Sequence, residues 1–186
     1  MVSLLFFSAQ MKNIITRTAT EAEAGLIAEM SRETFYETFS PHNSKANMEK
    51  FMKEQFTREA LIGEVLDKSN IFFLAFSGND PVGYAKMRKG EKPPAYERHS
   101  CIEIARIYAM RSFIGKGVGN ALMEKCIQTA VERKNEILWL GVWEKNQGAI
   151  DFYLRWGFKK FGTQVFLLGD DLQTDWLMSI LLPVTG

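Results

Sequence analysis

The segment from Ile107 to Gly119, Ile-Tyr-Ala-Met-Arg-Ser-Phe-Ile-Gly-Lys-Gly-Val-Gly, is where residue type and spacing most plainly prepare for a ligand. An apolar, strand-like run leads into Gly115, Gly117 and Gly119, and a helical pattern follows. Glycine lets the backbone approach a ligand closely and take positive φ. A helix start offers unpaired N–H groups and a partial positive charge. Together these make a cradle for phosphate. A dinucleotide-binding turn wants Gly-x-Gly-x-x-Gly and a P-loop wants Gly-Lys before Ser or Thr; here the spacing is Gly-x-Gly-x-Gly, with Gly117 after Lys116. A turn that only packs helix on strand would use the same glycines.

The rest of the composition narrows the ligand classes. The 186 residues carry 23 Lys and Arg against 22 Asp and Glu, a net charge of +1, so no global field draws the chain to nucleic acid or to a membrane surface. A charged ligand must be recognised locally. Cys101, Cys126, His42 and His99 form no Cys-x-x-Cys or Cys-His cluster, and no metal site is expected. Cys126 reads as core. Cys101 opens a predicted strand but has no histidine pattern to make it a nucleophile. The run Leu4 to Phe7 is too short, and lacks the basic start, for a signal peptide or a span. Residues 1–10 read as an extension, or an upstream start, ahead of a single domain over residues 11–186. A cytoplasmic location is expected.

The elements that must position the glycine loop can be read in order. Ile14 to Arg17 reads as a strand, and Thr20-x-x-Glu23 is a capping box that starts a helix toward Phe35 or Phe39. Ser44 and Thr57 cap two further helices. Ile71 to Phe76 and Val82 to Arg88 are strands around the turn signal Gly78-Asn79-Asp80-Pro81, and Lys89 to His99 is a loop. Cys101 to Met110 is the next strand. The helix beyond the glycines runs to about Arg133, with Val118, Leu122, Cys126 and Thr129 on its apolar side. Ile137 to Val142 is a buried strand, and Asn146 to Trp156 is a short helix stopped by Gly157. Phe161 to Leu168 and Asp175 to Leu182 read as a closing hairpin. This alternation gives a one-domain mixed α/β sheet.

Following the strand at 137–142 comes Asn146-x-x-Ala149-x-x-Phe152-Tyr153-x-x-x-Gly157-Phe158. With the glycine loop it resembles the GNAT superfamily of N-acetyltransferases, whose pyrophosphate loop reads Gln/Arg-x-x-Gly-x-Gly/Ala. That pattern falls on Ile114-x-x-Gly117-x-Gly119, and Ile114 departs from it by supplying no polar side chain. The resemblance implies an α/β (α+β) GNAT fold, with a mixed, mostly antiparallel twisted sheet of about seven strands flanked by helices. It implies acetyl-CoA as cosubstrate, held at Ile107, Tyr108, Ala109, Ile114, Gly115, Lys116, Gly117, Val118, Gly119 and Asn120. Asn146 would meet the pantetheine arm and Tyr153 the thioester sulfur. Free thiol and phenol pKa values of about 8.5 and 10 allow Tyr153 to give a leaving thiolate its proton. Tyr153 could instead be a core aromatic, a place Phe152 can fill. Strand alternation puts Glu103 on the face of Ala105 and Ile107; a carboxylate there resembles the GNAT general base, acting through water, or is a partly solvated strand end.

Trp139-Leu140-Gly141-Val142-Trp143-Glu144-Lys145-Asn146, the tail Gly169 to Asp175 and the run Glu33 to Phe39 resemble PaiA-type bacterial spermidine/spermine acetyltransferases, a likeness running from Ile14 to Leu182. Ala105 departs from it, standing where those enzymes can carry a second carboxylate. The acceptor implied is a small-molecule polyamine. Glu33 and Glu37 lie four apart and are read on one helix face with Leu26 and Met30, as acids that line a cleft or as solvated side chains. Asp170, Asp171 and Asp175 read as solvated loop acids. A protein N-terminus, lysine, an amino acid or an antibiotic as acceptor, and a non-catalytic CoA-binding regulatory module, stay as alternatives. A homodimer is left open.

Overall fold

The computed structural model describes residues 13–90 and 92–183; the extension read at residues 1–10 lies outside them. Seven strands form one sheet in the order β1 (Ile14–Thr18), β2 (Asn70–Ser77), β3 (Asp80–Arg88), β4 (Cys101–Ala109), β5 (Ile137–Trp143), β7 (Asp171–Leu181), β6 (Lys159–Leu168). Every pairing is antiparallel except β4 with β5. The mixed, mostly antiparallel seven-stranded sheet expected from the sequence is therefore present.

Helices cover both faces. α4 (Val118–Glu132) and α5 (Gln147–Arg155) put Val118, Leu122, Met123, Cys126, Ile150 and Tyr153 onto Ile102, Ile104, Leu138, Leu140 and Val142. The strand residues alternate because successive side chains point to opposite faces. On the other face, α1 (Ala24–Phe39), α2 (Lys45–Glu54) and α3 (Arg58–Leu66) bury Phe35, Phe39, Phe51 and Phe56 against Trp143 and Leu168. The helix starts are local. The Ser44 and Thr57 hydroxyls accept from Asn47 N at 3.2 Å and Ala60 N at 3.1 Å. Glu23 accepts from Thr20 N at 2.8 Å, and a short 3-10 turn precedes α1.

Three features of the sheet shape the site. Only Cys101–Ile104 of β4 pairs with Ile137–Leu140 of β5. Beyond that point the two strands part, and Ala105 to Ala109 faces Gly141 to Trp143 across a gap. A bulge falls at Ala105, since Lys86 pairs with Arg106 but Met87 with Ile104. An extra residue reverses the phase of the strand. Glu103 therefore shares its face with Arg106 and Tyr108, not with Ala105 and Ile107 as plain alternation predicts. Finally, β7 starts at Asp171, because Leu168 pairs with Asp171 around the two-residue turn Gly169-Asp170. Asp175 is thus a strand residue, correcting its reading as a loop acid.

Candidate functional site

The parting of β4 from β5 opens a slot through the sheet. A cavity of about 570 Å³ fills it, lined by Ile104 to Ala109 of β4, Gly141 to Trp143 of β5, Asn146 and Tyr153, and the α1–α2 aromatics. A second cavity of about 740 Å³, called the outer one below, lies among Lys86, Arg88, Trp139, Leu177 and the segment before β4. Arg88, Glu103 and Gln164 line both, so the two spaces meet at that trio.

At the inner cavity's end the chain makes the turn anticipated from its glycines. Gly117 caps α4 in a left-handed conformation, φ +89°, which an L side chain adopts only at a cost. The first helical N–H groups, from Val118, Gly119 and Asn120, have no helical acceptor and lie at the positive end of the macrodipole. Val118 is fully buried, so it presents its backbone alone. Gly83 brings this end onto the sheet: a Cβ there would stand 2.5 Å from Val118 Cγ1 and 2.7 Å from the Tyr108 carbonyl oxygen. Ile107, Tyr108, Ala109, Ile114, Asn146 and Tyr153 line the inner cavity, while Gly115 to Asn120 form the turn beyond its lining. Ile114 is 68% exposed. The Lys116 ammonium lies over the Phe113 ring. The Asn120 side chain accepts from Trp156 Nε1 at 3.3 Å and ties α4 to α5. Asn146 caps α5, its Oδ1 accepting from Ala149 N at 3.2 Å. Its side-chain oxygen is thereby committed and its amide N–H groups remain for a ligand.

Tyr153 is only 7% exposed, yet it lines the slot, with its ring against Phe152 and Phe158. Burial, with Cys126 beside it, raises its pKa, so the phenol keeps its proton at neutral pH. Phe152 packs over Gly119 and is only partly buried, while Tyr153 itself belongs to the buried core beneath α4 and α5 as well as lining the slot.

Glu103 is 6% exposed and held by Arg88 through Nε–Oε2 at 2.6 Å and a second contact to Oε1 at 3.0 Å. This pairing raises the Arg88 pKa. Beside it Glu64 joins Arg106 and the buried Lys86, whose Nζ is 3.0 Å away. Burial pushes the Glu64 carboxyl up, but the two cations outweigh it and its pKa is lowered. Burial lowers that of Lys86. Of these five residues only Glu103 stands out in the sequence, where Lys86, Arg88, Glu64 and Arg106 look like ordinary surface charges.

Glu33 and Glu37 are not brought to this site. Glu33 is exposed, Glu37 half-buried, and neither lines either cavity. The buried side of α1 is Ile27, Ala28, Ser31, Thr34 and Phe35, whereas Leu26 is exposed. Besides Glu103, the acid that enters the slot is Asp175. Burial raises its pKa, the Gln164 side chain opposes that shift, and Glu144 adds to it. Among the described residues no helix is long and apolar enough to cross a membrane, and no group of three His, Cys, Asp or Glu could hold a metal.

Comparison with known proteins bears on this arrangement. The model of the Acetyltransferase (GNAT) family matches residues 27–158. An uncharacterised N-acetyltransferase encoded 3′ of pepI in Lactobacillus delbrueckii subsp. lactis is 36% identical over 149 residues, 80% of this chain and 86% of the relative. Two solved structures share the fold. The PaiA N-acetyltransferase from Thermoplasma acidophilum, in complex with coenzyme A, has a TM-score of 0.73 at 20% identity, covering 91% of this chain and 99% of its own. YncA from Salmonella typhimurium, a putative acetyltransferase with its cofactor acetyl-CoA, has a TM-score of 0.71 at 14% identity, covering 94% and 96%.

Proposed function

The chain belongs to the GNAT acetyltransferase family, and from that premise we propose that it moves acetyl from acetyl-CoA to a primary amine, with a polyamine such as spermidine or spermine as acceptor. The observation that carries the reading is the α4 start, with its free N–H groups, set at the end of a slot that also holds Tyr153. That turn suits a pyrophosphate. The slot suits a pantetheine arm, with the Asn146 amide as donor. Bound acetyl-CoA supplies an activated thioester carbonyl. The chain's own part is to orient it, exclude water, remove a proton from the amine and return one from Tyr153 to the departing sulfur. The resemblance to the GNAT general base gives proton removal to Glu103, through water, and the likeness to PaiA-type enzymes supports an acceptor of the polyamine class.

A second acceptor class has its own support. The outer cavity is lined by Lys86, Arg88, Lys89 and Lys92 as well as by Glu64, Asp67 and Glu103. Lys86 and Arg88 are held by Glu64 and Glu103, but Lys89 and Lys92 have no salt bridge among the described residues and favour an amine that also bears a carboxylate, such as an amino acid or a peptide. A panel of spermidine, spermine, lysine and a tripeptide, assayed by thiol release, separates the two. Tyr153→Phe is expected to lower kcat about 100-fold with acetyl-CoA affinity unchanged, the usual size of a lost general acid. Unchanged turnover in that variant removes Tyr153 from the proton-donor role.

A further inference from the structure

Asp175 is the cleft carboxylate that no ion pair accounts for. It sits in β7 opposite Trp143 of β5 on one side and Gln164 of β6 on the other. It lines the inner cavity. Among the described residues it has no salt-bridge partner. Gly141 lies beside it at the point where β5 loses β4, and a Cβ there would stand 2.9 Å from Gln164 Nε2 and 3.6 Å from Asp175 Oδ2. The bare backbone at 141 thus gives the Gln164 amide its place beside this carboxylate. The other acids of the cleft are occupied. Both Glu103 oxygens are held by Arg88, and Glu64 is shared by Arg106 and Lys86. The guanidinium grips both Glu103 oxygens in a fork, so that carboxylate is fixed against Arg88 instead of being free for an incoming ammonium.

We propose that Asp175, aligned by Gln164, receives the ammonium group of the acceptor in the slot and takes its proton, while the Glu103–Arg88 pair forms the wall between the two cavities. The inference rests on the acetyl-transfer reading. Asp175 accepts one proton from the ammonium and passes it to solvent. The freed nitrogen lone pair forms the N–C bond, the C–S bond breaks, and the sulfur takes its proton from Tyr153. The second proton of the acylated nitrogen restores Tyr153 through water, so one proton is released per turnover. The groups facing Asp175 are Gln164 and Glu144 on its own side of the slot, and Tyr108, Tyr153, Glu103, Arg88 and Arg106 across the cavity. Burial, with Glu144 adding negative charge, holds its carboxyl above the usual range, closer to the pH at which a base works best. Below that raised pKa the carboxylate is protonated, so the rate falls as pH falls through it.

The test uses the full chain, with the fastest amine of the panel above and saturating acetyl-CoA. Asp175→Asn is expected to bind acetyl-CoA within about twofold of wild type but to lose about 100-fold in kcat/KM for the amine, the scale of a lost general base. The acid limb of the pH profile should vanish in Asp175→Asn, persist in Glu103→Gln, and return in part in Asp175→Glu. Asp175→Asn within about threefold of wild type, with its acid limb intact, overturns the proposal. Should Asp175→Asn lose acetyl-CoA affinity through misfolding, Gln164→Leu decides. A KM raised about tenfold with the acid limb moved to higher pH supports the assignment, and unchanged values of both overturn it. A wild-type chain without affinity for acetyl-CoA overturns the acetyl-transfer reading itself, a result distinct from an active wild type with an unaffected Asp175→Asn.

Discussion

Burial acts on Tyr153 and Asp175 in the same direction with opposite consequences. It disfavours the charged form of each, so the phenol is a committed donor, while the carboxyl is shifted toward the pH where it can accept. A leaving thiolate in the same slot feels the same desolvation, so transfer from phenol to sulfur is not set back by the raised phenol pKa. Away from the cleft, exposure reverses the outcome. The Arg17 guanidinium bonds Glu23 through Nη1–Oε2 at 2.9 Å and Nη2–Oε1 at 2.5 Å, and Thr20 adds its backbone N–H. Led by Arg17, these contacts bring the Glu23 carboxyl from 4.5 to about 2. The folded-state pKa is depressed, so the contribution is present above the unfolded value and is lost as pH falls toward the folded one. Urea midpoints measured from pH 5 downward should therefore decline less steeply for Glu23→Gln than for wild type, and lie lower at pH 7. Parallel curves would show that the pair adds nothing to the start of α1.

At the scale of elements, the decisive contact is α4 on β3. Gly83 lets the buried Val118 side chain and the Tyr108 carbonyl meet over bare backbone. Gly83→Ala forces that helix end outward, with an expected loss of about 1–3 kcal/mol, typical of overpacking. It should also weaken acetyl-CoA binding about tenfold, read by denaturant titration and calorimetry. Gly63→Ala in α3 meets nothing within 4 Å and is the control; it should stabilise the chain by about 0.5–1 kcal/mol through helix propensity. Equal effects at the two positions would show that the close approach at 83 does not position α4. The contrast also explains what was readable beforehand. The caps at Ser44 and Thr57 and the glycine loop are local signals, and the helices they start stand where the sequence puts them. The bulge at Ala105 is set by pairing with β3, so plain alternation along β4 puts Glu103 one phase out. The polar run Asp171 to Asp175 resembles a loop, but the tight Gly169-Asp170 turn keeps it in the sheet, which hid Asp175. On α1, Met30 is buried near the edge of the covered face, and reading the stripe through it and Leu26 carried Glu33 and Glu37 to the wrong side.

The whole molecule is a sheet with a seam. Four residue pairs join β4 to β5 before the strands part, and below them one core spans both sides, with Ile102 and Ile104 on one and Leu138, Leu140 and Met178 on the other. A coenzyme arm in the slot would replace the missing strand contacts with ligand contacts to Ile107 to Ala109 on one side and Asn146 on the other. Binding of this kind stabilises the folded state alone, because the turn at Gly117 and the gap between strands do not exist in the unfolded chain. The linkage is then set by concentration: at 100 times its dissociation constant a ligand adds about 2.7 kcal/mol. For a chain of this size each kcal/mol moves the midpoint by roughly 2–4 °C, so acetyl-CoA should raise Tm by about 5–11 °C and continue to raise it with the logarithm of its concentration. Tyr153→Phe should keep this shift, since it alters the proton donor and leaves the slot open. Gly83→Ala should lose about half of it at the same concentration, as its tenfold weaker binding requires, since it moves the helix end that meets the pyrophosphate. A Tm that does not respond to acetyl-CoA in the wild type would mean that the seam is not where the coenzyme binds.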